Sequence, residues 1–128
     1  MEMTDYVSYD LALKLKACGF DEPCDHYYAR KGIIGDSFRL YDAYSGMKHQ
    51  NSKYSTASAP TLWLAQKWLR EKKELYVNCF WNAKGQHWQP HCQWMNEVQG
   101  EPIGYAESYE GGLSKAITAA LELIKKWN

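Results

Sequence analysis

Between Leu75 and Met95 the chain alternates its side chains with a period of two, and helix-period apolar stripes stand on either side of that stretch. In Leu75 to Ala83, Leu75, Val77, Cys79 and Trp81 share one face of an extended strand, with Tyr76, Asn78 and Phe80 on the other. His87 to Met95 repeats the pattern with Trp88, Cys92 and Trp94 together, and Pro90 implies a sheet edge or a bulge. Asn82-Ala83-Lys84-Gly85 joins the two strands as a hairpin turn. After the turn at Gly100-Glu101-Pro102, Ile103 to Glu107 is expected to add a third antiparallel strand.

The flanking stripes say what covers these strands. Leu62, Ala65, Trp68 and Leu69 make the apolar face of a helix that begins near Pro60, where a missing amide hydrogen costs nothing in a first turn. Leu113, Ile117, Ala120, Leu121 and Ile124 make a second, with Ser108 as its cap and Lys125 and Lys126 at its negative end. Gly111-Gly112 weakens its first turn by about 1 kcal/mol per glycine relative to alanine. Two one-sided helices beside a meander pack on one sheet face.

The N-terminal half is less regular. Ser8 caps a helix whose stripe is Leu11, Leu15 and Cys18, and Gly19 closes it. From His26 to Tyr54, short aromatic or β-branched pieces alternate with Gly32, Gly35 and Gly46, a pattern of short strands and turns. The polar stretch 47–58 is expected to be a flexible loop. No repeat or Pro/Gly/Ser-rich linker divides the chain. The expected fold is therefore a single α+β domain over 1–128: three C-terminal strands and short N-terminal strands in an antiparallel layer packed with about three helices.

Fifteen Lys and Arg balance fifteen Asp and Glu, so no overall field gathers phosphate backbones or anionic lipid. Met1-Glu2-Met3-Thr4-Asp5 has neither the basic nor the apolar part of a secretory signal, and no apolar run reaches membrane-spanning length. The expected location is the cytoplasm, where Cys18, Cys24, Cys79 and Cys92 stay reduced and serve as small apolar side chains.

Ser8-Tyr9-Asp10-Leu11-Ala12-Leu13-Lys14-Leu15-Lys16, Gly19-Phe20-Asp21-Glu22-Pro23-Cys24, Ala59-Pro60-Thr61 ahead of a Trp-rich helix and Tyr109 before the last helix together resemble a family of small proteins of gut Bacteroidetes and their phages. That family has no assigned activity, so the resemblance implies an origin, as a phage- or prophage-type accessory protein, and no functional residue.

Chemistry-bearing clusters are sparse. His87 and His91 share a strand face roughly 13 Å apart, at about 3.3 Å per residue, and Cys92 points the other way. The three are weak metal candidates, and no metal or other cofactor is expected. Cys92 with His26 or His49, or Ser108 or Ser37 as nucleophile, lacks an elbow, an oxyanion loop or a paired carboxylate, so no catalytic residue is assigned. Gly32-Ile33-Ile34-Gly35 lacks the Lys and Ser or Thr of a phosphate loop.

The stronger signal is aromatic. Six tryptophans and ten tyrosines exceed what one small core needs, so several should lie at the surface. Tyr76, Phe80, Trp81, Trp88 and Trp94 are the interaction candidates. They suit a protein partner or a second copy of the chain. Single-stranded nucleic acid stacked on an aromatic sheet face is the alternative, disfavoured by zero net charge. A metal-dependent enzyme is the third reading.

Overall fold

A computed structural model describes residues 5–30, 38–43, 47–52, 56–97 and 101–127. It is α+β, with three helices and antiparallel sheets, as expected. Its internal contacts gather into two compact units, Met1–Thr61 and Leu62–Asn128.

In the first unit, α1 (Tyr9–Ala17) starts where the Leu11 amide donates to the Ser8 hydroxyl at 3.2 Å. It ends where Gly19 takes φ +92°, a left-handed conformation that costs glycine no Cβ strain. The Gly19 amide then donates to the Lys16 carbonyl and the Phe20 amide to that of Leu15. This doubled closure is a Schellman motif, and its two apolar members, Leu15 and Phe20, are both buried. Beyond it lie β1 (His26–Arg30), β2 (Phe38–Asp42) and β3 (Ala57–Ser58), paired antiparallel in the order β2-β1-β3.

These strands form their own sheet, which corrects the single layer expected from the sequence. The stretch read as a flexible loop supplies β3, where Ala57 pairs with Tyr28 and Ser58 with Tyr27, and a bridge from His49 to Cys24. Its polar residues misled the reading because they bond inward: Asn51 donates to the Phe20 carbonyl and accepts from the Ser58 amide. Pro60 precedes the second helix instead of opening it, and its carbonyl accepts from the Val7 amide at 3.0 Å. Ile33, Ile34, Gly35 and Ser37 lie outside the described residues.

In the second unit, α2 (Leu62–Lys72) buries Leu62, Ala65, Trp68 and Leu69, the expected stripe. The strands β4 (Leu75–Asn82), β5 (His87–Trp94) and β6 (Glu101–Pro102) form one antiparallel sheet in the order β4-β5-β6. Leu75 faces Trp94 and the register runs unbroken to Asn82 opposite His87. The turn between them is held by the Asn82 carboxamide accepting from the Gly85 amide, with Gln86 at φ 53°. Both α2 and α3 (Tyr109–Trp127) pack on this sheet. Leu75, Val77, Cys79, Pro90 and Cys92 are buried on the covered face with Leu113, Ile117, Ala120, Leu121 and Ile124 of α3.

Two expectations need correction. β5 is the central strand and carries no bulge against β4, although it contains Pro90. The Pro90 carbonyl accepts from Ile103 on the β6 side, and a strand residue addresses one neighbour with both its main-chain groups. The missing N–H therefore falls toward the short third strand, and the β4 ladder is untouched. The third strand is also displaced, occupying Glu101–Pro102 instead of Ile103 to Glu107. After Pro102 the chain takes one extra residue, with Gly104 at φ 61°, before Ala106 rejoins Trp88 through reciprocal hydrogen bonds.

β4 is the outer strand, and side chains take up main-chain groups along it: Gln66 of α2 donates to the Val77 carbonyl and Asn78 accepts from the Cys79 amide. Such capping blunts an uncharged edge that would otherwise template pairing.

Gly112 explains the glycine pair that looked unfavourable in a helix. A Cβ there would run into the Cys79 sulfur, so the first turn of α3 lies directly on β4. Ser108 caps that turn, accepting from the Gly111 amide at 3.0 Å. Gly112→Ala is expected to destabilise the protein by roughly 1–3 kcal/mol through overpacking, despite alanine's better helix propensity. Because the Cys79 Cβ stands 3.5 Å from that added methyl, Cys79→Ala should recover most of the loss in a denaturant titration of the double variant.

Candidate functional site

Directly paired residues share a sheet face, so the register assigns the uncovered face of β4 and β5: Tyr76 with Gln93, Asn78 with His91, Phe80 with Gln89, and Asn82 with His87. None of the eight bears a formal charge with histidine neutral, and two are carbon-rich rings. Phe80 is 48% exposed and Tyr76 half-buried. Short polar bonds hold the face in order. Asn78 donates to the Tyr76 hydroxyl at 3.0 Å, His91 Nε2 lies 2.7 Å from the Gln93 carboxamide oxygen, and the Phe80 ring meets the His91 ring edge-on at 5.7 Å.

The five aromatics singled out from the sequence therefore divide. Tyr76 and Phe80 lie on the open face. Trp81 belongs by alternation to the covered side, yet near the end of β4 it is 53% exposed. It packs edge-on against Trp88, which meets Tyr109 of α3 in the same way, with centroids 5.3 and 5.4 Å apart. Trp88 and Trp94 are half-buried on the helix side. Phe80 and Trp81, adjacent in sequence, thus expose rings on both sides of the hairpin's end. Tyr105, 67% exposed, stands beside His87 with centroids 5.4 Å apart, a ring that the sequence reading missed. Its signal was its place beside Gly104, at the break in the third strand.

The weak metal candidates are not brought together. His87 and His91 are on the open face, with His87 Nδ1 3.2 Å from the Gly85 carbonyl oxygen. Cys92 is buried on the covered face, its thiol pushed up to about 11 mainly by burial and further by Glu97. Among the described residues no three His, Cys, Asp or Glu side chains are grouped to hold a metal ion. Ser108, considered as a nucleophile, is the cap of α3.

In the N-terminal unit His49 is the centre of a second polar group. Its Nδ1 lies 2.7 Å from the Ser58 hydroxyl and its Nε2 2.9 Å from that of Thr56, while its ring stacks on Tyr27 with centroids 4.7 Å apart. Ser58 is fully buried, so this serine–histidine contact presents no hydroxyl to a substrate. Cys24, beside Ser58, has its thiol pushed up to about 12, chiefly by burial. The His49 contacts hold Thr56 and Ser58 beside Tyr27 of β1.

A third feature is a cleft of about 640 Å³ lined by Tyr6, His26, Tyr28, Phe38, Arg39, Leu40 and Asp42. His26 Nε2 is 2.5 Å from the Asp42 carboxylate, and the buried Tyr28 hydroxyl donates to the Val7 carbonyl at 2.7 Å.

Among the described residues no helix is long and apolar enough to cross a membrane. No protein-family model, no curated protein and no solved structure matches the chain.

Two outcomes follow from these environments. None of the four cysteines is in a disulfide, Cys18 is half-exposed and the other three are buried, so a thiol reagent near neutral pH should label Cys18 ahead of the others in the native protein and all four in denaturant. Labelling of Cys24 or Cys92 at the rate of Cys18 would contradict the packing. Burial, and secondarily Lys16, holds His49 below its ordinary value of 6.5, so the folded state favours the neutral ring. Its contribution to stability is present above that value and is lost as pH falls through the lowered one. Melting curves between about pH 7.5 and 5 should show a loss of stability that is smaller in His49→Gln.

Proposed function

We propose that this chain is a non-catalytic protein-interaction module, an accessory protein of phage or prophage type, that docks through the open face of β4 and β5. The observation that carries the reading is an eight-residue face with no formal charge, in which Phe80 stands about half exposed, with the equally exposed Trp81 next to it at the hairpin's end. Aromatic anchors framed by carboxamides suit a polypeptide surface: rings supply buried area at small entropic cost, and Asn or Gln can donate and accept at once. Tyr76, Phe80 and Trp81 are the contact residues. Trp88 and Trp94 support them from the covered side.

The same neutrality weighs against single-stranded nucleic acid. Rings could stack bases, but Lys or Arg must then follow the phosphates, and the face carries neither. An uncharged protein surface is the partner this face fits, and a second copy of the chain meets that description, because an uncharged face brings no like-charge repulsion when it meets its own copy.

Sedimentation of the purified chain over a wide concentration range tests self-association, and a photo-crosslinking residue at position 80 tests for another protein. Phe80→Ala is expected to weaken whichever association is found by ~2 kcal/mol or more with the melting temperature unchanged, as for a central aromatic anchor. A chain that stays monomeric and forms no crosslink at position 80 beyond that of exposed Glu122 on α3 would refute the reading. So would tight binding of single-stranded nucleic acid at physiological salt.

A further inference from the structure

The hydrogen bonds of β5 reveal which main-chain groups β4 turns to the free edge of its sheet. Trp88 exchanges both its main-chain bonds with Ala106, and the Pro90 carbonyl accepts from Ile103, so these two residues address the β6 side. Their partners across the register, Trp81 and Cys79, therefore point their own N–H and C=O groups away from β5. At the other end of the hairpin the Met95 amide donates to the Glu74 carbonyl, which sets the same parity. Leu75, Val77, Cys79 and Trp81 are thus the edge-facing residues of β4.

This edge is covered unevenly. Gln66 donates to the Val77 carbonyl and Asn78 accepts from the Cys79 amide, each at 2.8 Å. Beyond them, the Cys79 carbonyl and both main-chain groups of Trp81 have no hydrogen-bond partner among the described residues. Sheet edges are commonly guarded by charge, proline or shortness. From Leu75 to Ala83 the chain has no Lys, Arg, Asp, Glu or Pro, and β4 is eight residues long.

The open groups flank Phe80, with an acceptor at Cys79 and a donor at Trp81. That arrangement is self-complementary. A two-fold axis through Phe80, normal to the sheet, places the Trp81 amide of each copy opposite the Cys79 carbonyl of the other. Phe80, 48% exposed, then faces the partner's Phe80 across a close, non-hydrogen-bonded pair, and Asn78 faces the partner's Asn82. The overlap runs from Asn78 to Asn82, so the Val77 carbonyl held by Gln66 lies outside it.

From the open main-chain groups on either side of Phe80 and the uncharged edge that carries them, we infer that two copies of this chain join β4 to β4 in antiparallel register, making one continuous sheet. The contact uses the edge of the sheet and goes beyond the open-face reading. Asn78 restrains it, because its carboxamide occupies the Cys79 amide that would otherwise donate to the partner's Trp81.

Sedimentation of the full chain should show a reversible monomer–dimer equilibrium, and hydrogen exchange at the Trp81 amide should slow roughly tenfold or more as the dimer fills. In a Cys18→Ser background, Phe80→Cys should give a disulfide-linked dimer under mild oxidation, since facing residues of such a pair stand about 4.5 Å apart at Cα. Asn82→Cys should not, because its own copy lies about 13 Å further along the strand. Asn78→Ala frees the Cys79 amide and should tighten the dimer roughly fivefold or more. A near-ultraviolet circular dichroism spectrum matching the parent shows that each variant keeps its fold. A chain monomeric at every concentration, no disulfide from Phe80→Cys, or a dimer weakened by Asn78→Ala overturns the inference. A dimer whose Trp81 amide exchanges as freely as in the monomer, or a monomer that crosslinks to another protein at position 80, overturns it while leaving the open-face reading standing.

Discussion

The arrangement of the C-terminal unit depends on how closely α3 approaches β4. Helix and sheet can share a dry interface only if their side chains interdigitate without voids, and the first turn of α3 achieves this by having no side chain at Gly112, where Cys79 occupies the space. With that contact made, Leu113, Ile117 and Ile124 reach the sheet at successive turns, and Leu75, Val77, Cys79 and Cys92 are committed to the covered side. Because strand side chains alternate, the same commitment turns Tyr76, Asn78 and Phe80 to the opposite face, where Phe80 is exposed and the other two are half-buried. The open face is the other half of the packing decision.

The N-terminal unit is organised by polar side chains as much as by apolar ones. Its core of Val7, Leu11, Leu15, Phe20 and Tyr28 is small, and Ser58 is buried within it. A buried hydroxyl is tolerable only with partners, and Ser58 has His49 at its side chain and Asn51 at its amide. Those bonds tie His49 and Asn51 to Ser58 of β3.

The two candidate surfaces differ in the chemistry that would recognise them. The β4–β5 face is neutral, with the Asn82 carboxamide donating to that of Gln89 and the Asn78 carboxamide to the Tyr76 hydroxyl, a pattern suited to a broad protein contact. The N-terminal cleft is lined by the rings of Tyr6, Tyr28 and Phe38 together with one cation, Arg39, and one anion, Asp42. Each is complete within its own unit.

Strong periodicity was legible without coordinates. The alternation over 75–94, the stripe Leu113 to Ile124 and the caps Ser8, Ser108 and Gly19 depend on local geometry, so sequence alone marked out the helices and the β4–β5 hairpin, while its register and the face the helices cover came with the pairing. What tertiary structure decided was each feature that needs distant residues. β3 exists because Ala57 and Ser58 meet Tyr28 and Tyr27, some thirty positions earlier. β5 is central because the missing Pro90 hydrogen faces a strand only two residues long. The Tyr6, His26 and Asp42 cleft arises from three short segments whose register no period announces. A period of two or 3.6 records which neighbours along the chain share a face, whereas pairing between short strands is set by the global packing that excludes its alternatives.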